Sequence, residues 1–153
     1  MTVDLARIDI DNGSLPAPTA EIEHERRVAI FDLVEANMFQ PEGGQCGPYA
    51  LRLSSQDNRL VFEISGQDYT RTHAMSLTPL KTVIRDYGLI CESYYEALKG
   101  SSPSQIESVD MGRRGLHNEG AELLKNRLEG KVELDKETSR RLFTLVCALY
   151  RRG

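Results

Sequence analysis

Several signals that usually announce a chemistry are missing from this chain. It contains no P-loop, dinucleotide fingerprint, G-x-S-x-G elbow, H-E-x-x-H pair or nucleic-acid-binding zinc motif. No complete catalytic motif is therefore present, and no cofactor is expected. The three cysteines, Cys46, Cys91 and Cys147, form an odd, widely spaced set without C-x-x-C. That spacing indicates neither a disulfide framework nor a zinc ribbon and fits reduced thiols in the cytoplasm. No run approaches the roughly eighteen apolar residues that span a bilayer, and the stretch from Met1 to Leu5 lacks the basic and apolar regions of a signal peptide. A cytoplasmic protein without membrane contact is the expectation. Positive charge is in deficit as well: 19 Lys and Arg face 23 Asp and Glu, a net charge of −4. General nucleic-acid or anionic-lipid binding needs positive potential, so neither is expected. The arginine pairs at 26–27, 113–114, 140–141 and 151–152 leave room for a small anionic ligand or, on the blander reading, are solvated helix faces and helix ends.

What is present reads as one domain over residues 1–153, long enough and apolar enough, at 40% hydrophobic, to bury a continuous core. Leu5 to Ile10 alternates as a strand, ended by Asn12-Gly13-Ser14 and by Pro16 and Pro18. Thr19 caps a helix that runs toward Asn37 on the stripe Ile22, Ala29, Ile30, Leu33 and Val34. Pro41 to Pro48, rich in glycine, reads as a loop. Tyr49 to Leu53 and Leu60 to Ile64 form a hairpin around Asp57-Asn58, and Arg71 to Leu77 continues the meander. There His73 shares the inward face with Met75 and Leu77, as a hydrogen-bonded core or edge histidine.

Three helices follow. The first starts at a Thr78 cap with Pro79 behind it and ends at Gly100; the second starts at the capping box Ser102-Pro103-Ser104-Gln105 and ends near Gly130. The third, capped by Asp135, has almost no polar face over Leu142 to Tyr150 and belongs in the centre of the fold, with Arg151 and Arg152 meeting its negative end. The class is α+β: a small, mostly antiparallel sheet of about four strands with about four helices on one face, in the order β-α-β-β-β-α-α-α.

Within the second of those helices lies the densest polar stretch, Asp110-Met-Gly-Arg-Arg-Gly-Leu-His-Asn-Glu-Gly120. Helical spacing puts Gly112 and Gly120 on the buried stripe, where missing side chains admit a neighbouring helix. Asp110, Arg114 and Asn118 form one i, i+4 row, with Arg113 and His117 in a row beside it. Two readings stand side by side. In one, Asp110 pairs with Arg114 and the rest is surface hydrogen bonding. In the other, Arg113, Arg114, Asp110 and Asn118 hold an anionic ligand, joined by His24 and Arg26 from the first helix, while His117 or Glu119 moves a proton. Metal binding has weak support: His24 with Glu23 or Glu25, and His117 with Glu119, lack the spacing that puts two histidines on one helical face, so no metal is assigned. With no complete catalytic motif, the leading reading is a partner-binding or regulatory domain. The alternative is a small enzyme or receptor for a phosphorylated or carboxylated ligand; a metal-binding protein comes third.

The chain also resembles a known family. Glu-His-Glu-Arg at 23–26, Asn-Arg-Leu-Val-Phe at 58–62, Ser-Leu-Thr-Pro at 76–79, Ile-Cys-Glu-Ser-Tyr-Tyr-Glu-Ala at 90–97, Pro-Ser-Gln-Ile-Glu at 103–107, the 110–120 string and Arg-Arg-Leu-Phe-Thr-Leu at 140–145 are similar to bacterial uncharacterised protein family 0262. The resemblance implies a small cytoplasmic bacterial protein. It implies no established reaction, cofactor or catalytic residue.

Overall fold

A computed structural model describes residues 4–45 and 47–151; the first three residues, Cys46, Arg152 and Gly153, and with them the expectations placed there, lie outside the described residues. In chain order the elements are β1 (Leu5–Ile10), α1 (Ala20–Glu35), β2 (Phe39–Pro41), β3 (Tyr49–Gln56), β4 (Arg59–Gly66), β5 (Tyr69–Ser76), α2 (Thr78–Gly100), α3 (Pro103–Arg127), β6 (Val132–Leu134) and α4 (Lys136–Tyr150). A single 3-10 turn at Asn12–Ser14 closes β1.

The caps explain most of the boundaries. Thr19 Oγ1 accepts from the amide of Ile22, the Ser102/Gln105 box is reciprocal, and Asp135 accepts from the amide of Thr138 at 2.8 Å. The α2 start differs by one residue from the expected Thr78 cap. Leu77 occupies the cap position without a side-chain bond, and Thr78 is already helical. The Thr78 hydroxyl instead accepts from Asn58 Nδ2 at 3.2 Å, tying the hairpin turn to the helix. That turn has both central residues left-handed, Asp57 at φ 51 and Asn58 at φ 63, the conformation a two-residue hairpin needs and one that Asp and Asn tolerate.

The main sheet runs β1-β3-β4-β5, with β3–β4 and β4–β5 antiparallel and β1–β3 parallel. It is mostly antiparallel, as expected, with one parallel edge. A parallel neighbour requires a crossover, and α1 supplies it. A second, two-stranded sheet pairs Phe39 with Leu134 and Pro41 with Val132, so the expected loop begins after a short ladder rather than at Pro41. Three residues are too few for alternation to show.

Alternation along β3 and β4 drives Leu51, Leu53, Leu60, Phe62 and Ile64 onto one face, where they meet the apolar length of α4. The helix α4 packs against both α1 and α3, and α2 packs on α3 while touching α4 only slightly. The helix that buries the most side chains is thus the central one, as the apolar run from Leu142 to Tyr150 predicts. At the far edge, His73 faces inward beside Met75, but its buried Nε2 has no hydrogen-bond partner among the described residues. Burial, with Lys131 and Arg71 nearby, lowers its pKa.

Candidate functional site

The glycines of the 110–120 segment serve packing. A Cβ on Gly120 would put three ring atoms of Phe143 within 2.5 Å, and one on Gly112 would meet Ile90 Cδ1 at 2.8 Å. Both therefore bring α3 close to a neighbouring helix, α4 at Gly120 and α2 at Gly112. A Cβ at Gly115 would meet nothing within 4 Å.

The charges beside them are spent on one another. Arg113 donates through Nη2 to Asp110 Oδ1 at 2.7 Å, and Arg114 Nε lies 3.2 Å from Asp110 Oδ2. The Arg113 guanidinium also sits 4.9 Å from the centre of the Tyr94 ring on α2, adding a cation–π contact. Asn118 and Glu119 are exposed.

His117 is buried against the rings of Tyr87 and Phe143, with its Nε2 2.7 Å from Thr144 Oγ1. The Thr144 hydroxyl has one proton, and the carbonyl of Arg140 at 3.1 Å can only accept it. The His117 Nε2 must then be the donor to Thr144, which makes the ring the neutral Nε2–H tautomer. Burial, reinforced by Arg140 and Arg113, lowers its pKa to about 4. A ring so held bridges α3 to α4 and has no open face toward a substrate.

Arg26 and His24 part company. Arg26 is only 3% exposed and donates to the carbonyls of Ala148, Leu149 and Pro16, with Asn12 Oδ1 at 3.4 Å. It is therefore a structural group and does not join the proposed ligand set: the last carbonyls of α4 are otherwise orphaned, and a guanidinium fits them and the helix's negative end. Arg151, expected at that end, turns instead to the carboxylates of Glu25 and Glu21. His24 is exposed and lines a different feature of the surface.

That feature went unrecognised in the sequence. An open groove of about 980 Å³ runs between α1 and α2, with α4 as its floor. Each helix gives it a stripe at helical spacing: Glu25, Val28 and Asp32 from α1; Lys81, Arg85, Gly88 and Glu92 from α2; Thr144 and Cys147 from α4, with Arg151 just past its end. Along α2 it extends from Leu77 to Tyr95, about 27 Å of helix. Val28, Leu89 and Tyr95 are 44%, 56% and 59% exposed at its walls. The signal in the sequence was Gly88, a glycine inside a strong apolar stripe with no turn to make. Burial raises the pKa of the two thiols that line the groove, Cys91 and Cys147. Among the described residues, no three His, Cys, Asp or Glu side chains gather to hold a metal, and no helix is long and apolar enough to cross a membrane.

These features define an α+β protein, four helices with a mixed four-stranded sheet and a two-stranded one, and a groove between two of the helices. The chain belongs to the uncharacterised protein family UPF0262, whose model it matches over residues 2–152. A UPF0262 protein of Phenylobacterium zucineum (strain HLK1) is 55% identical over 149 residues, 97% of this chain and 94% of the relative. One from Caulobacter vibrioides (strain NA1000 / CB15N) is 58% identical over 146 residues, 95% and 92% of the two chains. One from Brucella canis (strain ATCC 23365 / NCTC 10854 / RM-666) is 55% identical across the whole of both. No solved structure matches the chain.

Proposed function

We propose that the chain acts by binding a protein partner, as a single non-catalytic domain whose contact surface is the α1–α4–α2 groove. The observation that carries this reading is the convergence of three helical stripes on one open groove with large apolar side chains at its walls. Such surfaces accept helices or the faces of other proteins, and the polar rim around an apolar centre is the usual anatomy of an interface. The polar segment Asp110 to Gly120 gives less support to a ligand clamp. Arg113 and Arg114 both turn to Asp110, and His117 turns to Thr144. A cytoplasmic setting belongs to the same proposal and is supported by the free thiols Cys91 and Cys147.

Purification of the tagged protein from its native cells under stringent washing tests the reading. Enrichment of a protein over an unrelated acidic control, lost when Val28 and Leu89 are both changed to Asp, is the expected result. Equal recovery from wild type and the double variant would remove the groove from the account.

A further inference from the structure

We propose that the partner covering this groove is a second copy of the same chain, the two molecules meeting mouth to mouth with their α2 helices crossing antiparallel at Gly88. The inference rests on the reading of the groove as a contact surface and names its occupant.

Gly88 is the first reason. It lies near the middle of α2 and on the groove wall, and a Cβ there would meet nothing within 4 Å. Its own molecule gives it no packing role, unlike Gly112 and Gly120 on α3. A bare backbone at mid-helix permits close approach by another helix.

The charge order along α2 then selects the occupant. Counting from Gly88, Lys81 and Arg85 lie seven and three residues toward the N-terminus, while Glu92 and Tyr95 lie four and seven residues toward the C-terminus. All four line the groove. In an antiparallel crossing at Gly88, Arg85 of each copy meets Glu92 of the other, and Lys81 meets the Tyr95 ring. A parallel pairing would oppose like charges instead. The α1 wall has a similar order about exposed Val28: His24 and Asp32 stand four residues to either side, so an antiparallel meeting of the two α1 helices at Val28 sets each His24 against Asp32 of the second copy. A two-fold contact is self-complementary in this way, with every pair occurring twice.

Within one chain these charges are available. Lys81, Asp32 and Glu92 form no ion pair among the described residues. Arg85 holds only its exposed sequence neighbour Asp86, a contact that is easily exchanged.

Sedimentation equilibrium of the full chain tests the proposal. Between about 1 μM and about 500 μM, a range suited to a modest interface, the mass should rise toward that of a dimer. Arg85→Glu should weaken the dimer about tenfold, since two pairs change sign together. Adding Glu92→Arg to the same chain should restore it to within about threefold, because the reversed pairs are again opposite in charge. Gly88→Leu should abolish dimerisation and leave the circular dichroism spectrum unchanged, since its side chain enters open space. A monomer at every concentration, or a dimer indifferent to Gly88→Leu and to the charge reversal, would overturn the proposal. If the chain is monomeric yet native purification still enriches another protein through the groove, self-association alone falls; if nothing is enriched either, the binding reading falls with it.

Discussion

Phe143 of α4 lies with its ring pressed onto the bare face of Gly120 of α3, and any side chain at residue 120 would overlap it. This contact is where the helix carrying the polar segment is wedged against the central helix. Gly120→Ala should cost about 1–3 kcal/mol by overpacking, even though alanine favours the helix by about 1 kcal/mol. Gly115→Ala, which faces open space, should stabilise by about 0.5–1 kcal/mol. Urea denaturation of the two variants checks both signs, and a neutral Gly120→Ala would mean that the two helices are not in contact there.

Arg26 holds the C-terminal end of α4 through the buried carbonyls of Ala148 and Leu149 and ties it to the carbonyl of Pro16. Arg26→Met keeps the aliphatic stem but leaves those acceptors unpaired, and should destabilise by about 3 kcal/mol. Arg26→Lys should recover only part of this, because one ammonium cannot span the fork. Thermal denaturation at low and high salt measures it. A loss below about 1 kcal/mol for the methionine variant would contradict the structural role.

His117 gives the fold a pH dependence with a definite sign. Its folded pKa is near 4, below the usual value of 6.5, so the native ring resists the proton that the unfolded chain accepts. The stability tied to this histidine is complete above about pH 6.5, falls at up to about 1.4 kcal/mol per pH unit as pH drops, and is lost by the time pH passes the folded value. The difference in unfolding free energy between wild type and His117→Gln, followed from pH 7.5 to pH 4, isolates this contribution. A constant difference across that window would rule out a buried neutral ring.

Burial raises the pKa of Cys91 and Cys147, so both thiols stay protonated near neutral pH. Brief iodoacetamide treatment of the native protein should alkylate them far more slowly than the urea-unfolded chain, as read by peptide mass spectrometry. Native labelling of Cys147 as fast as in the unfolded chain would contradict its burial beneath the groove.

Much of the architecture was legible because its signals are local. Thr19, the Ser102–Gln105 box and Asp135 bond amides three residues away, and Asp57-Asn58 makes its turn from its own backbone preference. The β2–β6 ladder was not legible, since its three-residue strands lie more than ninety positions apart. The polar segment was readable as a pair of polar rows in which Asp110 meets Arg114; that Asp110 also holds Arg113, from the neighbouring row, was not. Where His117 would point was undecided until Thr144, twenty-seven residues on, came within hydrogen-bond reach.

Periodicity and capping by themselves determined the four helices and the four strands of the main sheet, which faces are apolar, and that α4 is central, because each is a property of residues within a few positions of one another. Tertiary packing alone decided that Arg26 closes α4 in place of Arg151, that Gly120 accommodates Phe143 while Gly88 accommodates nothing, and that α1 and α2 stand apart over α4 to leave a groove. Those outcomes depend on distances between helices, and no single stretch of sequence carries that information.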